Sequence, residues 1–347
     1  MLDIEFGSIN VLIGANGAGK SNFIGFFSFM RNLINKELEL YIAARGGANK
    51  LLFFGKKTTQ QLYFRLFFSP NEYAATMIPD NADGLIFKKE EAKFHGSAIN
   101  YLGGDKTHQI DSKGSRESQL RNYAIHQYII QYINDWKIYH FHDTGSSSPM
   151  KQTANINDNR SLSADGKNIA AFLRNIKEHN DRDYEEILTS VQRIAPFLHD
   201  FILEPEAANE DTIRLKWKHK GSDDYFDASD LSDGTLRFIC LATLLLQPAL
   251  PKTILLDEPE LGLHPAALNL LASIFRVASG KTQIIATTQS TTFASCFFAS
   301  EIIVANRVEN ASVFNRLNEE EYASWLEDYD VGELWQKNLI GGNPSYA

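Results

Sequence analysis

The sequence predicts an α/β fold built on a mainly parallel sheet, carrying an antiparallel β lobe and a helical lobe. Three observations carry this. First, Ile9-Asn-Val-Leu-Ile13 is a short β-branched run that reads as a buried strand, and it leads straight into the glycine-rich Gly14–Ser21 and a helical segment over Asn22–Asn32. Second, the last third alternates: helix over Leu236–Gln247, strand over Thr253–Leu256, helix over Ala266–Val277, strands over Thr282–Ala286 and Glu301–Ala305. That rhythm places parallel strands in one sheet with helices on its faces. Third, Gln61–Phe68, Tyr73–Ile78 and Gly84–Lys89 are short, aromatic and partly alternating, separated by the turn signals Ser69-Pro-Asn71 and Asp80–Gly84. They read as an antiparallel meander.

The remaining segments fall into place around these. Gly103–Ser118 reads as a polar loop, Gln119–Asp135 as a helix and Trp136–Phe141 as a strand. His142–Asn159, with Gly-Ser-Ser-Ser-Pro at its centre, is either a mobile loop or a ligand loop. Asn168–His179 and Tyr184–Ile194 are amphipathic helices, the second stopped by Pro196. Phe201–Leu203 and Thr212–Lys218 read as strands, and the acidic Asn318–Gly332 as a terminal helix.

At 347 residues the chain holds about two units, or one large domain with an insertion. Aromatic residues make up 12%, far too many for a disordered chain. The two cysteines, Cys240 and Cys296, are too few for a disulfide framework and point to a reducing, cytoplasmic setting. MLDIEFGSIN lacks the basic and apolar regions of a signal peptide, and no window is apolar enough to span a membrane. The net charge of −9 argues against a surface that coats nucleic acid. Basic runs at Arg214–Lys220 and Lys50–Lys57 read as a solvated strand face and a loop.

Three motifs carry chemistry. Gly14-Ala-Asn-Gly-Ala-Gly-Lys20-Ser21 fits the phosphate-binding G-x-x-x-x-G-K-[ST] pattern in the required strand–loop–helix context. Glycines there let backbone amides curl around phosphate oxygens, so Asn16, Gly17, Ala18, Gly19 and Asn22 join Lys20 and Ser21 as nucleotide contacts. Lys20 reaches the β and γ phosphates, Ser21 ligates Mg2+, and the helix points its positive end at the anion. The strand Thr253–Leu256 then delivers Asp257 and Glu258 to the edge of the sheet where α/β folds bind ligands. Asp257 is the Mg2+ group and Glu258 the base that polarises water. Between them, Leu231-Ser-Asp-Gly-Thr235 opens a helix; Ser232 and Gly234 make either an ordinary N-cap or a second anion site.

In that order, these three motifs resemble the ABC-type ATPase heads. Asp257-Glu-Pro-Glu-Leu-Gly-Leu-His-Pro265 is similar to the RecF/SMC-like branch, and within it to the AAA-type ATPases of bacterial genome-maintenance and phage-defence operons, which include the OLD-nuclease ATPase domains. The resemblance covers nearly the whole chain. It implies a P-loop NTPase with ATP and Mg2+ as cofactors, made of residues 1–57 and 119–347, with a β lobe inserted at 58–118. It also implies an ATP-dependent homodimer in which Ser232 and Gly234 of one subunit meet the nucleotide on the P-loop of the other. The biological role it implies is work on DNA, or with a separately encoded nuclease, in repair or phage defence; the alternative is a slow switch that binds a protein partner.

Two positions depart from that layout. Gln289, in Ile285-Ala-Thr-Thr-Gln-Ser290, stands where a histidine is usual; glutamine can hydrogen-bond a phosphate but does not titrate, so turnover should be slow. The strand Trp136–Phe141 leads into His142-Asp143 with no glutamine before Gln152, and the metal-contacting glutamine goes unassigned. His140 and His142 read as strand-end histidines rather than a metal pair. His264 either meets the opposite subunit or structures its loop. There is no C-x-x-C zinc hook, no coiled coil and no nuclease constellation.

Overall fold

The computed structural model describes residues 2–95 and 106–343, and these form two compact units. One takes in the chain up to Ile24 and from Lys137 onward, and the other runs from Gly25 to Trp136. No helix among the described residues is long and apolar enough to cross a membrane.

In chain order the main elements are β1 (Ile9–Ile13), α1 (Lys20–Asn35), β2 (Leu62–Phe68), β3 (Asn71–Pro79), β4 (Leu85–Phe94), β5 (Lys106–Gln109), α2 (Gln127–Asn134) and β6 (Trp136–Tyr139). They continue with α3 (Ile169–His179), α4 (Asp181–Ile194), β7 (Leu198–Ile202), β8 (Lys216–His219), β9 (Tyr225–Asp227) and α5 (Asp233–Leu246). The chain ends with β10 (Thr253–Asp257), α6 (Pro265–Ser279), β11 (Gln283–Thr288), β12 (Ile302–Val308), β13 (Ala311–Arg316) and α7 (Val331–Gln336).

The first unit is built on a six-stranded sheet of order β13-β12-β1-β11-β10-β6. All five residues of β1 are buried, as the β-branched run demands of a strand covered on both faces. β1, β10, β11 and β12 are parallel, and β13 turns back on β12. Register aligns the strand ends: Ile13 lies opposite Thr288, and Asp257 opposite Thr287. The loops after β1, β10 and β11 therefore leave the sheet at one edge. α5 is buried all round from Thr235 to Leu246, so it runs through the core rather than over it.

The second unit holds a four-stranded antiparallel sheet, β2-β3-β4-β5. Its β3–β4 turn is built by Asp80, whose Oδ1 accepts from the amides of Ala82 at 2.9 Å and Gly84 at 2.7 Å. The Gly84 amide is the strongest influence holding that carboxyl below its usual range; Arg116, donating to Oδ2 at 2.7 and 3.0 Å, adds to it.

The parallel sheet, the antiparallel lobe and the helices over 169–246 bear out the predicted fold class. Local expectations fail where pairing overrides pattern. Lys106–Gln109, inside the segment read as loop, is a strand: Lys-Thr-His-Gln has no apolar alternation, and pairing with β4 imposes its form. Residues 103–105 lie outside the described residues. Only Gln127–Asn134 of the helix expected over 119–135 is α-helical, preceded by two single 3-10 turns. The strand over 212–218 breaks at Arg214-Leu215 into two. The expected acidic terminal helix is two short pieces, Ala323–Leu326 and α7, and β13 was not foreseen.

Candidate nucleotide site

The loop between β1 and α1 has the form of a phosphate cradle. Gly17 and Gly19 adopt φ of 78° and 108°, a region that side chains disfavour, and a Cβ on Gly19 would lie 2.1 Å from the Ser312 hydroxyl on β13. Among the described residues, the amides of Asn16, Gly17 and Gly19 donate to no protein acceptor. Ala18 is buried and its amide closes the turn onto Ala15 O at 3.1 Å. Lys20 is buried, and its ammonium curls back to donate to Gly14 O at 2.5 Å and Ala15 O at 3.1 Å. Burial pulls its pKa below the usual lysine value, opposed by the fields of Glu258, Asp257 and Glu260. Ser21 and Asn22 lie exposed on the first turn of α1.

Across the edge, β10 delivers the carboxylate pair. Thr287 Oγ1 donates to Asp257 Oδ1, and Asp257 Oδ2 has no protein partner among the described residues. Glu258 takes φ of 42°, left-handed for a residue with a side chain, and is held there by its amide donating to Thr287 O at 3.0 Å. Gln289 Nε2 donates to Glu258 Oε1, so the two predicted catalytic side chains meet directly.

The groups fit Mg2+-ATP. Unpartnered loop amides, glycines at positive φ and a lysine suit an anion, while the Ser21 hydroxyl and Asp257 Oδ2, without protein partners among the described residues, are hard oxygen donors of the kind Mg2+ takes.

Ser232, predicted for the second anion site, is exposed at the N-cap of α5, where its Oγ accepts the Thr235 amide at 3.2 Å. Gly234 packs on its own chain: a Cβ there would lie 2.3 Å from Gly262 O. His142 donates through Nε2 to Asp257 O, 2.6 Å away, and His264 Nδ1 caps α6 by accepting the Ala266 amide at 3.2 Å.

Sequence reasoning missed Glu260, Thr287 and Thr288. Glu260 is buried, and its Oε1 accepts from Thr288 Oγ1 at 2.5 Å and from the Gln289 amide at 3.1 Å. Burial raises its pKa. Its place in Asp-Glu-Pro-Glu was the one available signal; the threonines gave none.

A family model described as "AAA domain, putative AbiEii toxin, Type IV TA system" matches residues 9–295. The chain belongs to this family. It carries an AAA domain of the P-loop kind, a family with which nucleotide binding goes, and its fold is that of SMC heads. Solved structures of SMC heads share the fold, among them the following two. One is an SMC head bound to the C-terminal winged-helix domain of ScpA, at 15% identity and TM-score 0.53 over 93% of this chain and 94% of that one. The other is an SMC head with an extended coiled coil bound to the C-terminal domain of ScpA from Pyrococcus furiosus, at 16% identity and TM-score 0.50 over 94% of each. No curated protein matches the sequence significantly.

Proposed function

We propose that this domain binds and hydrolyses ATP with Mg2+ and that the bound nucleotide joins two copies of the chain. The observation that carries the reading is the single sheet edge from which the Gly14–Ser21 cradle, Asp257-Glu258 and Gln289 all emerge. Lys20 and the loop amides bind the phosphates, and Ser21 and Asp257 hold Mg2+, which when bound supplies positive charge to the phosphate oxygens. Gln289 fixes Glu258 Oε1, leaving Oε2 to accept the proton of the attacking water. Ser232, exposed at the start of a helix, offers its hydroxyl and helix end to the nucleotide of a second copy, with Gly234 behind it.

The test is Mg2+-dependent ATP turnover beside a fluorescent-ATP titration. Lys20→Ala should abolish binding, and Glu258→Gln should bind normally and turn over about 10²–10⁴ times more slowly. Unchanged ATP affinity in Lys20→Ala would sink the assignment.

The work done with this cycle is on DNA, or with a separately encoded nuclease in repair or phage defence, in the cytoplasm. A second reading, a slow switch acting on a protein partner, is favoured by the charge pattern. Lys216 pairs with Glu206 at 2.8 Å, Lys218 with Asp223 at 3.5 Å and Arg214 with Asp227 at 3.8 Å, so the basic run is largely neutralised. The ScpA domain seated on the SMC heads of similar fold is a precedent for a protein partner. Duplex DNA added to the turnover assay separates the two: acceleration supports the first, no effect the second.

A further inference from the structure

Arg237, on the second turn of α5, is 6% exposed, and no carboxylate forms an ion pair with it among the described residues. A guanidinium carries its charge into the interior whatever its surroundings, and an unpaired buried charge is costly unless its donors are all used. Here each of its three nitrogens donates to backbone. Nε donates to Phe141 O at 2.8 Å, Nη2 to His142 O at 3.0 Å, and Nη1 to Leu261 O. These carbonyls belong to two loops at the sheet edge: the one leaving β6, and the one between Glu258 and α6.

The two loops have distinct duties. The first carries His142, whose ring meets Asp257 O at 2.6 Å. The second begins directly after Glu258, with Leu261 N donating to Glu258 O at 3.3 Å. Gly262, beside the guanidinium at φ of 71°, is also the residue against which Gly234 presses. Ser232, Leu261, Gly262 and His264 lie at least partly exposed on either side of this contact. One side chain thus fastens the helix that displays Ser232 to the two loops that abut the carboxylate pair. A planar fork of five donors can span three carbonyls, and a lysine cannot.

We propose that Arg237 is a positioning residue that couples the nucleotide site to the surface receiving the second copy: a shift at Asp257-Glu258 on filling of the site passes through the two loops to the Ser232 turn. The inference rests on reading the chain as an ATP-joined dimer. It assigns Arg237 to assembly and not to nucleotide binding, because none of its bonds reaches Gly14–Ser21.

The experiment compares Glu258→Gln with Arg237→Met/Glu258→Gln and Arg237→Lys/Glu258→Gln. Monomer affinity is read by titration with a fluorescent ATP analogue, and self-association in saturating Mg2+-ATP by light scattering against protein concentration. With Arg237→Met, affinity should stay within about twofold of the parent and the dimer dissociation constant should rise at least about tenfold, or ~1.4 kcal/mol. Arg237→Lys, retaining the charge but spanning fewer carbonyls, should fall between, and it decides the matter if the methionine variant does not fold. Unchanged dimerisation in a folded variant overturns the inference. So does an ATP affinity that falls in step with dimerisation, which would make Arg237 a residue of the fold alone. A Glu258→Gln parent that stays monomeric in ATP refutes the dimer reading itself, and this inference with it.

Discussion

Glu258 occupies the left-handed region at φ of 42°, where a side chain costs of order 1–3 kcal/mol unless its surroundings hold it. Thr287 does the holding: its carbonyl takes the Glu258 amide, and its hydroxyl donates to Asp257 Oδ1. With Asp257 proposed to hold Mg2+, a threonine that orients its carboxylate without touching the metal should matter to metal affinity. Thr287→Val should therefore raise the Mg2+ concentration for half-maximal turnover about 10–100-fold, as losing a partner behind a metal ligand commonly does. Affinity for ATP without metal should stay near that of the wild type. A Mg2+ titration with unchanged midpoint would remove Thr287 from the site. The same residues show what the sequence could and could not disclose. The places of Lys20, Ser21, Asp257 and Glu258, at the end of a loop and the end of a strand, were legible because contiguous spacing sets them. Thr287, Thr288 and Arg237 matter only through what the sheet register and the packing of α5 bring beside them, and no local pattern records that.

At the scale of elements, legibility tracked burial pattern. β1, β10 and β11, buried on both faces, announce themselves as apolar runs, and α5 and α6 by length and periodicity. β5 is four polar residues whose form comes from β4 beside it, and β13 exists as the antiparallel partner of β12. The β2–β5 sheet depends on a polar contact no periodicity reveals. Glu90, 1% exposed on β4, accepts from Tyr73 OH and Ser118 Oγ, both at 2.5 Å, and from the Gln119 amide at 3.3 Å. Burial first, and then the Glu90 charge, push the Tyr73 hydroxyl well above its ordinary pKa. Glu90→Ala would strand both hydroxyls, at about 1–3 kcal/mol each. Hydrogen exchange should show β3 and β4 opening far more readily in that variant. Tyr73→Phe, which removes a donor and leaves the carboxylate two others, should have the smaller effect. Equal protection in Glu90→Ala and wild type would contradict this.

For the whole molecule, the proposed function has two subunits share each nucleotide site, the Gly14–Ser21 cradle and Asp257-Glu258 pair of one copy meeting Ser232 of the other. Glu258→Gln keeps the shape of the side chain but cannot take a proton from water, so ATP should persist and hold two copies together. Ser232→Arg should bind ATP as a monomer and fail to associate, since the substitution lies at the N-cap of α5 and makes no change in Gly14–Ser21. The deciding measurement is the mass in solution of Glu258→Gln by size-exclusion chromatography with light scattering, in Mg2+-ATP and in Mg2+-ADP, with Ser232→Arg/Glu258→Gln beside it. A shared site predicts a dimer in ATP, a monomer in ADP, and a monomer in both for the double variant. Equal mass in ATP and ADP, or a double variant that dimerises as well as its parent, would contradict it.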